Sequence, residues 1–194
     1  MMRSILFLIA ALAVGQFAGC TGSPKAVFYT LSSDTALERS GPAVPISIVV
    51  GPVTLPELID RPQMVTRVSP NEVALNEFAR WGEPLKSGIP RALAGDLAQL
   101  LGTGNVSVFP QTVGMSTWQV RVDILRFDVT PGEAVTVEAL WTVRPPKQAA
   151  QLTGRTLARE PLNGQGYDAI AAAHSRALAA VSRDIAAAIE RTQP

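Results

Sequence analysis

Very few side chains in this sequence could do chemistry at neutral pH: the 194 residues include one cysteine, Cys20, and one histidine, His174. A lone thiol can be alkylated or acylated, but it cannot close an intrachain disulfide. A histidine-built zinc site needs several imidazoles. His174 stands in line with Ile170 and Leu178 at helical spacing, so a half-buried structural role is expected of it. Carboxylates are more plentiful. Glu57, Asp60, Glu72, Glu77 and Glu83 fall in one region, and two facing carboxylates can run glycoside hydrolysis. On turns and solvated strands the same groups are surface or salt-bridge partners, which is the expectation here. The nucleophile elbow G-x-S-x-G, the phosphate-cradling G-x-x-x-x-G-K-[ST] and the dinucleotide-binding G-x-G-x-x-G are absent from the sequence. No catalytic residue, cofactor or metal is therefore expected.

Cys20 has a context that the other groups lack. A short head with Arg3 leads into an apolar stretch, Ile5 to Val14, and then into the small-residue site Phe17-Ala18-Gly19-Cys20. That is the layout of a secretory signal. About 10 apolar residues are too few to cross a hydrocarbon core, which takes about 20 in a helix. The site resembles the lipobox of bacterial lipoproteins, in which a diacylglyceryl thioether forms on the cysteine and the peptidase then cuts before it. Phe17 stands where leucine is usual. The resemblance implies a signal peptide over residues 1–19 and a lipidated Cys20 at the new N-terminus. Residue 21 is Thr and not Asp, which in such lipoproteins favours delivery to the outer membrane. Three acyl chains would anchor the protein far more firmly than one.

The elements that must carry these groups can be read from pattern. Without residues 1–19 the chain keeps 16 basic and 16 acidic residues, since only Arg3 is lost from the 17 basic ones. No basic block stands out, so nucleic acid is not an expected partner. With 47% hydrophobic residues, residues 27–194 should fold as one domain behind a short polar leash at 20–26. Strands are expected at 27–31, 46–50, 63–68, 72–76, 106–109 and 152–159. One turn of helix is expected around Glu57 to Ile59. Two strictly alternating runs, Trp118 to Ile124 and Val135 to Val143, flank Pro131-Gly132 and predict a half-buried antiparallel hairpin. Helical spacing appears from Leu85 to Leu100, with Pro90 either kinking it or lying in a first turn that begins near Ser87, and again over residues 167–191. The fold class is α+β: a mixed, mostly antiparallel sheet with two main helices packed on one face.

One stretch is dense in special residues: Gly51-Pro52-Val53, Leu55-Pro56, Ile59-Asp60-Arg61-Pro62-Gln63, and then Arg80-Trp81-Gly82-Glu83-Pro84-Leu85. Asp60 can cap backbone N–H groups or pair with an arginine, and Arg80 can stack on Trp81 or fork onto a carboxylate. The strings VGPVTLPELIDRPQMVTR and NEFARWGEPL, with Phe28-Tyr29-Thr30-Leu31 soon after the cysteine, resemble the PqiC/YmbA family of auxiliary lipoproteins. That family serves Pqi and related transporters built around MCE proteins. The resemblance implies a non-enzymatic outer-membrane lipoprotein on the periplasmic face. Its implied partners are an MCE-domain protein reaching across the periplasm and the inner-membrane permease of the same system, and its implied task is lipid traffic and envelope integrity. A homo-oligomeric ring is a further expectation, because MCE assemblies are symmetric. Asp60, Arg61, Pro62, Arg80, Trp81, Glu83 and Pro84 carry over as a signature with a structural or partner-contact role, and Cys20 as the lipid attachment site. A periplasmic lipid carrier with its own acyl cavity is the alternative, and an envelope hydrolase the remote one.

Overall fold

The computed structural model describes residues 24–39, 41–111, 114, 116–146 and 150–192. Cys20 and the signal segment lie outside the described residues. In chain order the elements are β1 (Val27–Tyr29), β2 (Ser47–Thr54), β3 (Gln63–Ser69), β4 (Glu72–Trp81), α1 (Leu85–Leu101), β5 (Val106–Val108), β6 (Thr117–Thr130), β7 (Ala134–Arg144), β8 (Leu152–Pro161) and α2 (Gly166–Glu190). The strands are shared between a three-stranded sheet, ordered β1-β4-β3, and a five-stranded sheet, ordered β5-β2-β6-β7-β8. Antiparallel ladders join β6, β7 and β8, whereas β2 runs parallel to both β5 and β6. The class is α+β with mixed strand directions, as the pattern predicted, but the strands are divided between two sheets rather than joined in one.

Periodicity explains why the two helices have a place to sit. Val135, Val137, Ala139, Trp141 and Val143 of β7 are buried on one side of the large sheet, because successive side chains of a strand alternate in direction. Helix α2 covers β7 and β8 there, α1 covers β2 and β5, and the two helices pack on each other. Ala173, Ala177, Leu178, Val181, Ile185 and Ile189 form the fully buried stripe of α2. Close fit is visible at Gly154, opposite Trp141 in the β7–β8 ladder. A Cβ built on Gly154 would lie 2.1 Å from Cζ2 of Trp141, so only a glycine leaves room for the indole.

Four local features depart from the pattern. Strand β2 does not stop at Val50 but continues through Gly51-Pro52, with a register shift between Val50 and Val53 against β6. A bulge of this kind absorbs a proline that cannot donate to a ladder. Strand β4 runs on past Asn76 to Trp81 because β3 skips three of its residues: Gln63 pairs with Arg80 but Met64 pairs with Asn76. The Asn76 Oδ1 accepts the N–H groups of Phe78 and Ala79, each at 2.8 Å, so part of the bulged backbone stays bonded. Helix α1 begins at Leu85 and passes through Pro90, rather than starting near Ser87. One turn in, the proline forfeits only the bond to the Lys86 carbonyl. The helix closes on Gly102, whose φ of 62° suits the left-handed cap. Residues 57–59 form a single turn closed by the Ile59 N–H on the Pro56 carbonyl at 3.1 Å, short of a helix.

Candidate functional site

The signature residues converge where the small sheet meets the start of α1. Proline 62 accepts the Trp81 N–H at 2.7 Å, which ties the end of β4 to the 55–62 connection. Asp60 pairs with Lys86 Nζ at 2.6 Å, a lysine on the first turn of α1, and not with an arginine. Glu83 takes the guanidinium of Arg91, whose Nη2 also donates to the Leu31 carbonyl at 2.9 Å. One arginine thus joins the segment after β1, the loop after β4 and helix α1. Pro84 precedes the helix with φ −55° and ψ 135°, and its carbonyl accepts Ser87 N–H at 2.8 Å and Gly88 N–H at 3.0 Å. The proline therefore starts α1 through its backbone. Lys86 and Arg91 were missed as members of this cluster; their only signal was their place shortly after Glu83-Pro84.

Arg80 and Trp81 are neighbours in a strand, so their side chains leave on opposite faces. Stacking of one on the other is therefore not made. Trp81 is buried and meets Phe127 and His174 edge-on, with ring centroids at 6.1 and 5.8 Å. Arg80 faces outward, its nearest carboxylate oxygen being Glu77 Oε2 at 3.9 Å. The Nε atoms of Arg61 and Arg80 are both buried without a hydrogen-bond partner.

His174 is buried outright, not half-buried. Its ring stacks on Phe127 with centroids 3.9 Å apart. Its Nδ1 donates to the Ile170 carbonyl at 3.0 Å, and Nε2 is left without a partner. Burial pushes its pKa down to about 4, so the ring is neutral at pH 7. The cleft that reaches it, between Ile59, Met64, Trp81 and Phe127, holds about 10 Å³, the room of one water. A second buried ionisable group is Asp96 on α1. It accepts the Asp34 N–H at 2.8 Å and the Ser182 hydroxyl at 3.0 Å, and burial nevertheless raises its pKa to about 6. The five carboxylates singled out in sequence are dispersed: Asp60 and Glu83 are held by cations, Glu77 accepts the Gln63 amide at 3.2 Å, Glu57 is exposed on a turn, and Glu72 is exposed at the start of β4. Among the described residues no group of three or more His, Cys, Asp or Glu side chains could hold a metal ion.

A family model described as "ABC-type transport auxiliary lipoprotein component" matches residues 29–186. No curated protein matches the chain. Among solved structures, the crystal structure of an uncharacterized protein superposes with a TM-score of 0.70 at 19% identity, over 86% of this chain and 99% of that one. A protein from Xanthomonas campestris gives a TM-score of 0.59 at 16% identity, over 87% and 98%. At such identities the two structures speak for the fold.

Proposed function

The chain belongs to the family of ABC-type transport auxiliary lipoprotein components, and from that premise we propose that it is a docking component of an MCE-type lipid transport system. In this reading Cys20 carries the lipid that holds the domain to the periplasmic face of the outer membrane. The domain receives the far end of a periplasm-spanning MCE protein whose inner-membrane permease supplies the traffic. The role is not enzymatic.

The observation that carries the reading is how the signature residues are used. Asp60, Glu83, Pro84 and Trp81 brace one end of the small sheet against α1, and the one histidine is neutral and walled in by aromatic rings. A rigid, braced surface suits recognition of a partner better than turnover. The space at His174, about 10 Å³, is far below that of an acyl chain, which speaks against the carrier reading at that place. Cross-linking in cells followed by affinity recovery of the acylated protein tests the proposal. Recovery of an MCE protein is the expected result, and its absence at every cross-linker length removes the docking role. Sedimentation of the purified protein tests the ring separately: a monomer that still binds the MCE protein removes only the oligomer.

A further inference from the structure

Apolar side chains gather at the end of the small sheet that follows the leash. Val27 and Phe28 of β1 are 51% and 61% exposed, and Phe78, in the bulge of β4, is 47% exposed. Phe28 pairs with Arg80, and Phe78 stands two residues before Arg80, so these three side chains share one face of the sheet, while Val27 pairs with Ala79 on the other. A phenylalanine more than half in water gives up most of the stabilisation its burial would bring. The same end carries two guanidinium groups, of which one has a single long ion pair and the other has none among the described residues. Arg80 comes no nearer to a carboxylate than 3.9 Å from Glu77, and that carboxylate already accepts the Gln63 amide. Among the described residues Arg61, which precedes the Pro62 carbonyl bonded to Trp81, has no ion pair, and the Nε of each arginine lacks a partner. The neighbouring Asp60 and Glu83 are taken by Lys86 and Arg91.

We propose that this end of the three-stranded sheet lies on the membrane, with Phe28 and Phe78 in the interface and Arg61 and Arg80 on the phosphates of anionic lipid headgroups. The length of chain outside the described residues selects a lipid surface as the occupant. Val27 is seven residues beyond Cys20, and seven residues span at most about 25 Å when fully extended. The patch is therefore tethered within reach of the bilayer by its own sequence. Apolar side chains flanked by guanidinium groups are what an anionic interface recognises. The proposal rests on acylation at Cys20, the premise of the docking reading, but not on the MCE partner.

The test uses the acylated protein in bilayer discs made with brominated phospholipid, comparing phosphatidylglycerol with phosphatidylcholine. Intact mass first reads the acyl group on Cys20; its absence overturns the tether on its own. The native tryptophans, Trp81, Trp118 and Trp141, are all buried and set the unquenched baseline. Phe28→Trp should add emission that the brominated lipid quenches, more so in phosphatidylglycerol. Arg61→Gln or Arg80→Gln in the Phe28→Trp background should lower the docked-to-undocked ratio about fivefold each in phosphatidylglycerol, with little change in phosphatidylcholine. An acylated Phe28→Trp protein quenched no more than the wild type overturns the membrane contact and leaves the two arginines to a protein carboxylate.

Discussion

Replacing Asp96 by Asn should strongly change the pH dependence of stability. Asp96 is 0% exposed, and its two hydrogen bonds, from Asp34 N–H and Ser182 Oγ, do not offset the loss of water around the charge, so the carboxyl titrates near 6 instead of 3.8. Between those values the folded chain holds a proton that the unfolded chain has released. The contribution of this group to stability is therefore full below about pH 4, falls as pH rises through about 6, and is level above. The gap corresponds to about 3 kcal/mol. Asparagine keeps an acceptor for Asp34 N–H, and its amide can donate to Ser182 Oγ, whose hydroxyl already reaches the Leu178 carbonyl at 3.1 Å. Asp96→Asn should therefore gain up to about 3 kcal/mol on the wild type between pH 4 and pH 7. His174 works in the opposite sense. Its folded value, lowered from 6.5 to about 4, makes stability rise with pH across the same window, so the wild-type curve alone should look nearly flat. The difference between variant and wild type, from urea unfolding at half-unit pH steps, isolates Asp96. A difference that stays constant from pH 4 to pH 7 would refute the assignment.

Three further outcomes are expected. Gly154→Ala should lower stability by about 1–3 kcal/mol or more through overpacking against Trp141, read as a drop in urea midpoint, and Trp141→Phe in the same chain should recover part of it. Arg91→Ala should cost about 1 kcal/mol, since the pair with Glu83 is half in solvent but the bond to the Leu31 carbonyl is lost; Arg91→Lys should restore only part, because lysine has no counterpart of the Nε–H that also donates to Glu83 Oε1 at 3.1 Å, and full recovery by lysine in thermal melts would contradict this. Cys20→Ala should leave a folded domain in the periplasmic fraction with no membrane-held pool; retention in membranes by fractionation would point to another anchor.

Legibility followed the regularity of the local pattern. The β6–β7 hairpin was visible because every second residue from Trp118 to Ile124 and from Val135 to Val143 is apolar, and the ladder pairs these strands across the Pro131-Gly132 turn. The continuation of β2 past Gly51-Pro52 and of β4 past Asn76 was not visible, because a bulge breaks the period that announces a strand. Nor does the sequence show that β1, β3 and β4 form a sheet of their own: β1 is parallel to β4, and a parallel partner lies too far along the chain for any local signal to mark it.

The signature was legible as a cluster but not as a brace, and the reason lies in what holds two sheets together. Within a sheet the backbone ladder fixes each strand, and side chains on the outer face are free to vary. Between two sheets there is no such ladder, so their relative placement rests on side chains and on the connections that cross from one to the other. The chain crosses first between β1 and β2, then at residues 55–62, after β2, and again at 82–84, before α1; the last two crossings hold the signature. Residues 55–62 and 82–84 are where the rigid prolines and charged partners of the signature are concentrated. Pro62 bonds to Trp81, Asp60 to Lys86 and Glu83 to Arg91, while Trp81 reaches across to Phe127 of the large sheet and His174 of α2. A cluster of distinctive residues in a sequence without a catalytic motif thus finds a physical explanation as a junction. It leaves Arg61 and Arg80 as the members with the weakest internal partners: among the described residues Arg61 has no ion pair, and Arg80 has only the 3.9 Å pair with Glu77.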